Sequence, residues 1–226
     1  MAKLPRLIET VANNSGIPQP TVSLTARHVR EAGMISSGGR GPGGAEMTPT
    51  DATNLLIGTV AAMQVKDAPE VVKLFRSAKP ITPSWGDPHA DAKISIPRFA
   101  ELTFGEMLDA LFNQLAVSED VFDTTTGQPV DLELEFQRTG HGYSVTPMLT
   151  IGRNIDDMRE LTNHYFYHAN HPAFEGVSEA ERKARAQMLY SKGSHGLAIT
   201  ATVRDLLIFP IADCLAGREI AYEVQR

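Results

Sequence analysis

Cysteine is almost absent from this chain of 226 residues: Cys214 stands alone. One thiol excludes an internal disulfide framework and any cysteine-based zinc site within one chain. Set among Ile211, Ala212 and Leu215, it reads as an inert core thiol. Long hydrophobic runs are missing too. The greasiest stretch, around Leu206–Ile211, is far shorter than the ~18 residues of a membrane span, so no membrane association is expected. The start, Met1-Ala2-Lys3-Leu4-Pro5-Arg6, has no apolar h-region and no cleavage site, and nothing in it marks export. These absences together lead to the expectation of a soluble, cytoplasmic protein.

The usual enzymatic signatures are also lacking. There is no Gly-x-Ser-x-Gly, no phosphate-binding P-loop and no dinucleotide fingerprint. Gly38–Gly44 is glycine-rich but lacks the Lys-Ser/Thr ending. No enzyme activity and no cofactor are expected. Aromatics make up only 7% of the chain, and the lone Trp85 lies in a proline-rich stretch, where it could anchor that stretch or belong to an interface.

What the sequence does have is 42% hydrophobic residues, too many for a solvated coil and enough to bury a core. Its net charge of −6 argues at face value against a nucleic-acid partner. The charge is uneven, however. Residues 1–66 carry Lys3, Arg6, Arg27, Arg30, Arg40 and Lys66 against Glu9, Glu31, Glu46 and Asp51, a net +2, which leaves −8 for the remainder. A mildly basic head on an acidic body is compatible with DNA contact through the head alone.

Punctuation divides the chain into a head over 1–66, a Pro-rich linker over 67–98 and a body over 99–226. In the head, the spacing predicts helices over Pro5–Asn13 and Pro20–Ala32, the second with proline in its first turn, and a third opened by Thr48-Pro49-Thr50-Asp51 and running to about Met63. Ala68–Ser77 extends it or forms another short helix. In the body, Thr103-Phe104-Gly105-Glu106 is a capping box before a helix. Val130–Phe136 alternates as a strand, with Glu133 and Glu135 on its solvated face, and forms a hairpin with Tyr143–Ile151. Arg159–His168 fits a strand or a helix. Ser178-Glu179-Ala180-Glu181 opens a charged helix to about Ser191, Leu197–Val203 is β-branched and apolar, and Arg204–Leu215 is a helix despite Pro210. The fold class is α+β, with a small, mainly antiparallel sheet in the body.

His164, His168 and His171, with Glu160 upstream, would share one face of a helix and resemble metal ligands. The same segment alternates as a strand, and Pro172 follows at once, so the structural reading is taken and no metal is assigned.

The segment Gly16–Ile35 carries the functional information. Two helices joined by a short turn containing Gly16 form a helix-turn-helix pattern, whose second helix enters the DNA major groove. Ile17, Val22, Ala26 and Val29 fall on one face, suited to packing on Leu7, Ile8 and Val11. Gln19, Thr21, Ser23, Leu24, Arg27 and His28 fall on the other. Polar groups at a helix start favour phosphate oxygens, Arg27 and Arg30 can reach phosphates, and Arg27 can also bond a guanine edge twice. The helix stops at Gly33, after which Met34-Ile35 begins a β segment.

This helix pair, ending in Ala32-Gly33-Met34-Ile35 and running into a Gly/Arg-rich hairpin, resembles the winged helix-turn-helix heads of bacterial GntR- and MarR-type regulators over residues 4–48. The body resembles uncharacterised proteobacterial proteins that join such a head to an α+β tail. By that resemblance Thr21 contacts a phosphate, and Gln19, Ser23, Leu24 and Arg27 read or fit the groove. Arg40, at the wing tip, enters the minor groove or touches the backbone. No first helix precedes the pair, so Thr50–Met63 must supply its packing surface. The resemblance implies a bacterial or phage-borne transcriptional regulator that binds double-stranded DNA as a homodimer, with a body that self-associates or senses a protein or small-molecule effector. The alternative is a helical interaction module, such as an assembly component of a mobile element, whose basic head docks a protein.

Overall fold

Proline and short polar side chains start the helices of this chain and glycines stop three of them, as its computed structural model makes explicit for residues 2–38, 44–81, 101–117, 131–138, 144–152, 162–170, 178, 181 and 199–218. Helix α1 spans Leu4–Ser15, α2 Gln19–Glu31 and α3 Pro49–Val60, each with proline in its first turn, where a missing N–H costs nothing. The α3 start is a full capping box: the Asp51 amide donates to Thr48 Oγ1 at 3.2 Å, and the Thr48 amide donates to Asp51 Oδ2 at 2.8 Å. A single 3-10 turn (Val65–Asp67) leads into α4 (Ala68–Arg76), which lies within the stretch read as linker and buries Ala68, Val71, Val72, Leu74 and Phe75.

The rest follows as β1 (Lys79–Pro80), α5 (Phe104–Val117), β2 (Asp131–Arg138), β3 (Ser144–Val145), β4 (Met148–Gly152), β5 (Thr162–Asn170), β6 (Ile199–Arg204) and α6 (Asp205–Ala216). The architecture is α+β, and every strand pairing among the described residues is antiparallel. Across the sheet the ranks run β6, β2, β3 with β4, β5, β1. β3 and β4 occupy one rank: Arg138↔Val145 and Glu135↔Met148 share one register, as do Val145↔Ala169 and Met148↔Phe166. The interruption at Thr146-Pro147 therefore inserts no residue; Pro147 only removes a ladder donor, and its carbonyl still accepts from the Tyr167 amide at 2.9 Å.

The described part of the ambiguous stretch, residues 162–168, lies in a strand, β5, and α6 runs through Pro210. Of the helix expected from Ser178, only Ser178 and Glu181 are described, with the Glu181 amide donating to Ser178 Oγ at 3.3 Å. The rest of it, Trp85 and His171 lie outside the described residues. One placement needs correction. Glu133 does not lie on a solvated face: it is buried, and its carboxylate accepts from Arg204 Nε at 2.7 Å, across the β2–β6 pairing.

Leu132, Leu134 and Phe136 of β2 face the helices and join Phe75, Phe104 and Tyr167. Phe104 packs edge-on to Phe136 with centroids 5.6 Å apart, and to Tyr167 at 5.3 Å. The buried core is continuous from α1, α2 and α3 to the sheet, because α1 packs on α6 and α3 packs on α5. Arg218 closes this layer by donating to the Leu115 and Ala116 carbonyls at the end of α5, at 2.8 and 3.0 Å.

Candidate nucleic-acid interface

A three-residue turn, Gly16-Ile17-Pro18, joins α1 to α2. Gly16 takes φ +70°, a left-handed conformation natural to glycine, and the Ile17 amide donates to Ser15 Oγ at 3.2 Å. Pro18 then closes the first turn of α2: its carbonyl accepts from the Thr21 amide at 2.8 Å and the Val22 amide at 3.2 Å. Pro20 has no N–H to offer. The anion-holding amides expected of a helix start are thus largely spent on the chain itself, and contacts from α2 fall to its side chains.

The other end is a Schellman cap. The Met34 amide donates to the Val29 carbonyl at 3.0 Å and the Gly33 amide to the Arg30 carbonyl at 2.9 Å, with Gly33 at φ +76°. Beyond it, the expected β segment does not form among the described residues. The Met34 carbonyl accepts from Asn54 Nδ2 at 2.6 Å, and the Ser36 amide donates to Asp51 Oδ1 at 2.7 Å. Side chains of α3 take the backbone groups that a ladder would need. The chain returning from the glycine-rich loop instead meets the amino terminus, through a Lys3↔Glu46 bridge and the Met47 amide on the Ala2 carbonyl at 2.9 Å. The two arms of the loop still come together, since a Cβ on Gly38 would collide with the Ala45 backbone nitrogen. Arg40, between them, lies outside the described residues.

Val22, Thr25, Ala26 and Val29 are buried, and they press α2 against α1 and α3. Helix α3 supplies the surface that an upstream helix would otherwise give. It approaches closely because Gly58 lies under α2: a Cβ there would sit 3.2 Å from Thr25 Cγ2 and from Val29 Cγ2. On the outward side Gln19, Ser23, Leu24, Arg27 and Arg30 are exposed, while Thr21 and His28 are half-buried. Arg27 Nε donates to Glu31 Oε1 at 2.7 Å; the shared hydrogen bond raises the arginine pKa and lowers the glutamate's. Lys3 and Arg6, by contrast, turn to the chain itself, donating to the Gly44 and Arg218 carbonyls.

Behind the outward face lies a polar chain that residue spacing did not single out. Asn54, which holds Met34, accepts from Arg76 Nη1 at 3.0 Å, and Arg76 in turn grips Asp109. Thr50 Oγ1 also donates to Asp109, at 2.9 Å. The available signal was an asparagine just before the apolar run Leu55-Leu56-Ile57.

His164 and His168 both lie on β5, and four residues of strand separate them by roughly 13 Å. Among the described residues no group of three or more ligand-type side chains is placed to hold a metal ion, and no helix is long and apolar enough to cross a membrane. No protein-family profile, curated protein or solved structure matches this chain.

Proposed function

We propose that this protein is a sequence-specific, double-stranded-DNA-binding transcriptional regulator whose head is a winged helix-turn-helix. The observation that carries the reading is the outward side of α2: Gln19, Ser23, Leu24, Arg27 and Arg30 are exposed on a helix whose opposite face is locked into the core. A short helix pair, a three-residue turn and a glycine-rich loop with an arginine behind the second helix fit a helix seated in the major groove and a wing on the backbone. Gln19, Ser23 and Arg27 address base edges, and Thr21, Arg30 and Arg40 hold phosphates. His28 sits at the margin of the same surface. One such helix covers a half-site, so a homodimer is the working assembly, with the acidic body as the seat of self-association or of an effector.

A gel shift against the protein's own upstream region tests this. A specific shift that weakens as salt is raised supports it. No shift even at low salt favours the second reading, in which the basic head docks a protein during assembly of a mobile element.

A further inference from the structure

We infer that Leu24 is a specificity residue that reads a thymine methyl group in the half-site, next to a guanine read by Arg27. The inference rests on α2 being the groove-reading helix and adds what that helix reads.

At 100° per residue, the buried set Val22, Thr25, Ala26 and Val29 fixes the inward direction of α2. The direct opposite runs through Pro20, Leu24, Arg27 and Glu31, all exposed. Gln19, Ser23 and Arg30 lie on one flank. Thr21 and His28, both half-buried, lie on the other. A helix laid in a major groove turns its outermost line most directly to the base edges, with its flanks nearer the phosphate walls and, at the first turn, still within reach of bases. The line that enters deepest is therefore half apolar.

Pro20 and Leu24 are one turn apart, and Leu24 is 45% exposed, one of two exposed leucines among those with described side chains, the other being Leu206 at the start of α6. The apolar group that a base pair presents in the major groove is the C5-methyl of thymine. Arg27 follows Leu24 by three residues, about 4.5 Å along the axis, little more than one base-pair step. Its guanidinium suits the O6/N7 pair of guanine. The flanking Arg30 matches the charge of the walls and the flanking Gln19 and Ser23 can bond to them, so duplex DNA is the occupant that both parts of the face fit.

The test begins by selecting bound duplexes from a random pool with the full-length protein. Each thymine of the enriched half-site is then replaced by deoxyuridine, which deletes only the methyl group. One such replacement is expected to weaken the parent about fourfold, the effect of burying a single methyl. Leu24→Ala is expected to bind the thymine site about fourfold less tightly and to lose the distinction between thymine and uracil, while Arg27→Ala keeps that distinction. An enriched site whose every thymine tolerates uracil overturns the inference and leaves the regulator reading standing. Failure to enrich any site, with no shift at low salt, overturns both and points to a protein partner. The DNA-side substitution needs no altered protein, so a folding defect in a variant cannot mask the result.

Discussion

Arg76 holds Asp109 with two hydrogen bonds, Nη1 to Oδ1 at 3.1 Å and Nη2 to Oδ2 at 2.8 Å, and so joins α4 to α5. The same Nη1 also donates to Asn54 Oδ1, whose amide nitrogen holds the Met34 carbonyl just past the end of α2. A continuous polar chain thus runs from the far end of the candidate recognition helix to the helix beneath the sheet. Its members are mostly sequestered from water, so each depends on the next for its partner.

Removing the arginine should show this dependence. Arg76→Met leaves the Asp109 carboxylate and the Asn54 carbonyl oxygen without their shared donor. Both arginine and aspartate retain some contact with water, so a cost of about 2 kcal/mol is expected rather than that of a fully buried pair. Arg76→Lys keeps the charge but not the fork and should fall between. Urea unfolding midpoints measure both. A parental midpoint for Arg76→Met would mean that the chain contributes nothing to stability.

The same pair sets a pH dependence. Burial alone would raise the Asp109 pKa, but the hydrogen bonds and charge of Arg76, with the Thr50 hydroxyl, outweigh it and hold the carboxyl below its usual value. A carboxyl depressed in the folded state contributes stability above its unfolded pKa, near 4, and that contribution is lost as pH falls through the folded value. Asp109→Asn should therefore be less stable than the parent at neutral pH, and the gap should shrink below about pH 4. A gap constant with pH would remove the ionised carboxylate from the account.

Gly105 lets α5 approach Arg76 closely enough for the pairing. A Cβ there would lie 2.8 Å from Arg76 Cβ and 3.0 Å from its Cα, so Gly105→Ala must push α4 and α5 apart. A loss of about 1–3 kcal/mol is expected, in spite of alanine's better helix propensity. Gly33→Ala meets no atom within 4 Å and should cost about 1 kcal/mol through its φ of +76° alone. Thermal unfolding of the two variants separates the steric cause from the backbone one.

The helices were legible because their signals are local. Thr48 with Asp51 and Thr103 with Glu106 announce two helix starts three residues in advance, and both boxes form. The buried and exposed faces of α2 likewise follow from spacing within thirteen residues. What escaped the sequence was decided at a distance. Arg76 and Asp109 are 33 residues apart, and Glu133 and Arg204 are 71 apart, so no spacing rule links them. The stretch ending at His168 fits two periods equally well; its pairing with β4 makes it a strand. Met34-Ile35 has β-forming residues, yet Asp51 and Asn54 claim the neighbouring backbone groups first.

Cys214 should prove inert in the native protein. It is fully buried on α6, and burial pushes its thiol pKa up, which suppresses the reactive thiolate. Alkylation by iodoacetamide at neutral pH should be negligible until denaturant opens the contact between α6 and α1. Fast modification of folded protein would show that this helix pair opens readily.

Glu31 restrains the arginine most central to the proposed DNA contact. Its carboxylate holds Arg27 Nε at 2.7 Å on an exposed surface, so the pair itself adds little to stability, and Glu31→Gln should leave the unfolding midpoint unchanged. Its effect should fall on binding. With the carboxylate gone, the Arg27 guanidinium can swing to a phosphate, and a negative charge is removed from the face turned to DNA. Affinity for random duplex should rise, and the slope of log affinity against log salt should steepen by about one. Affinity for the selected site should gain less, because the glutamate no longer fixes the guanidinium towards a base edge, and the ratio of specific to random binding should narrow. Fluorescence anisotropy on both duplexes at several salt concentrations reads all three quantities. An unchanged salt slope on random duplex, with an unchanged ratio, would place Arg27 and Glu31 away from the nucleic acid.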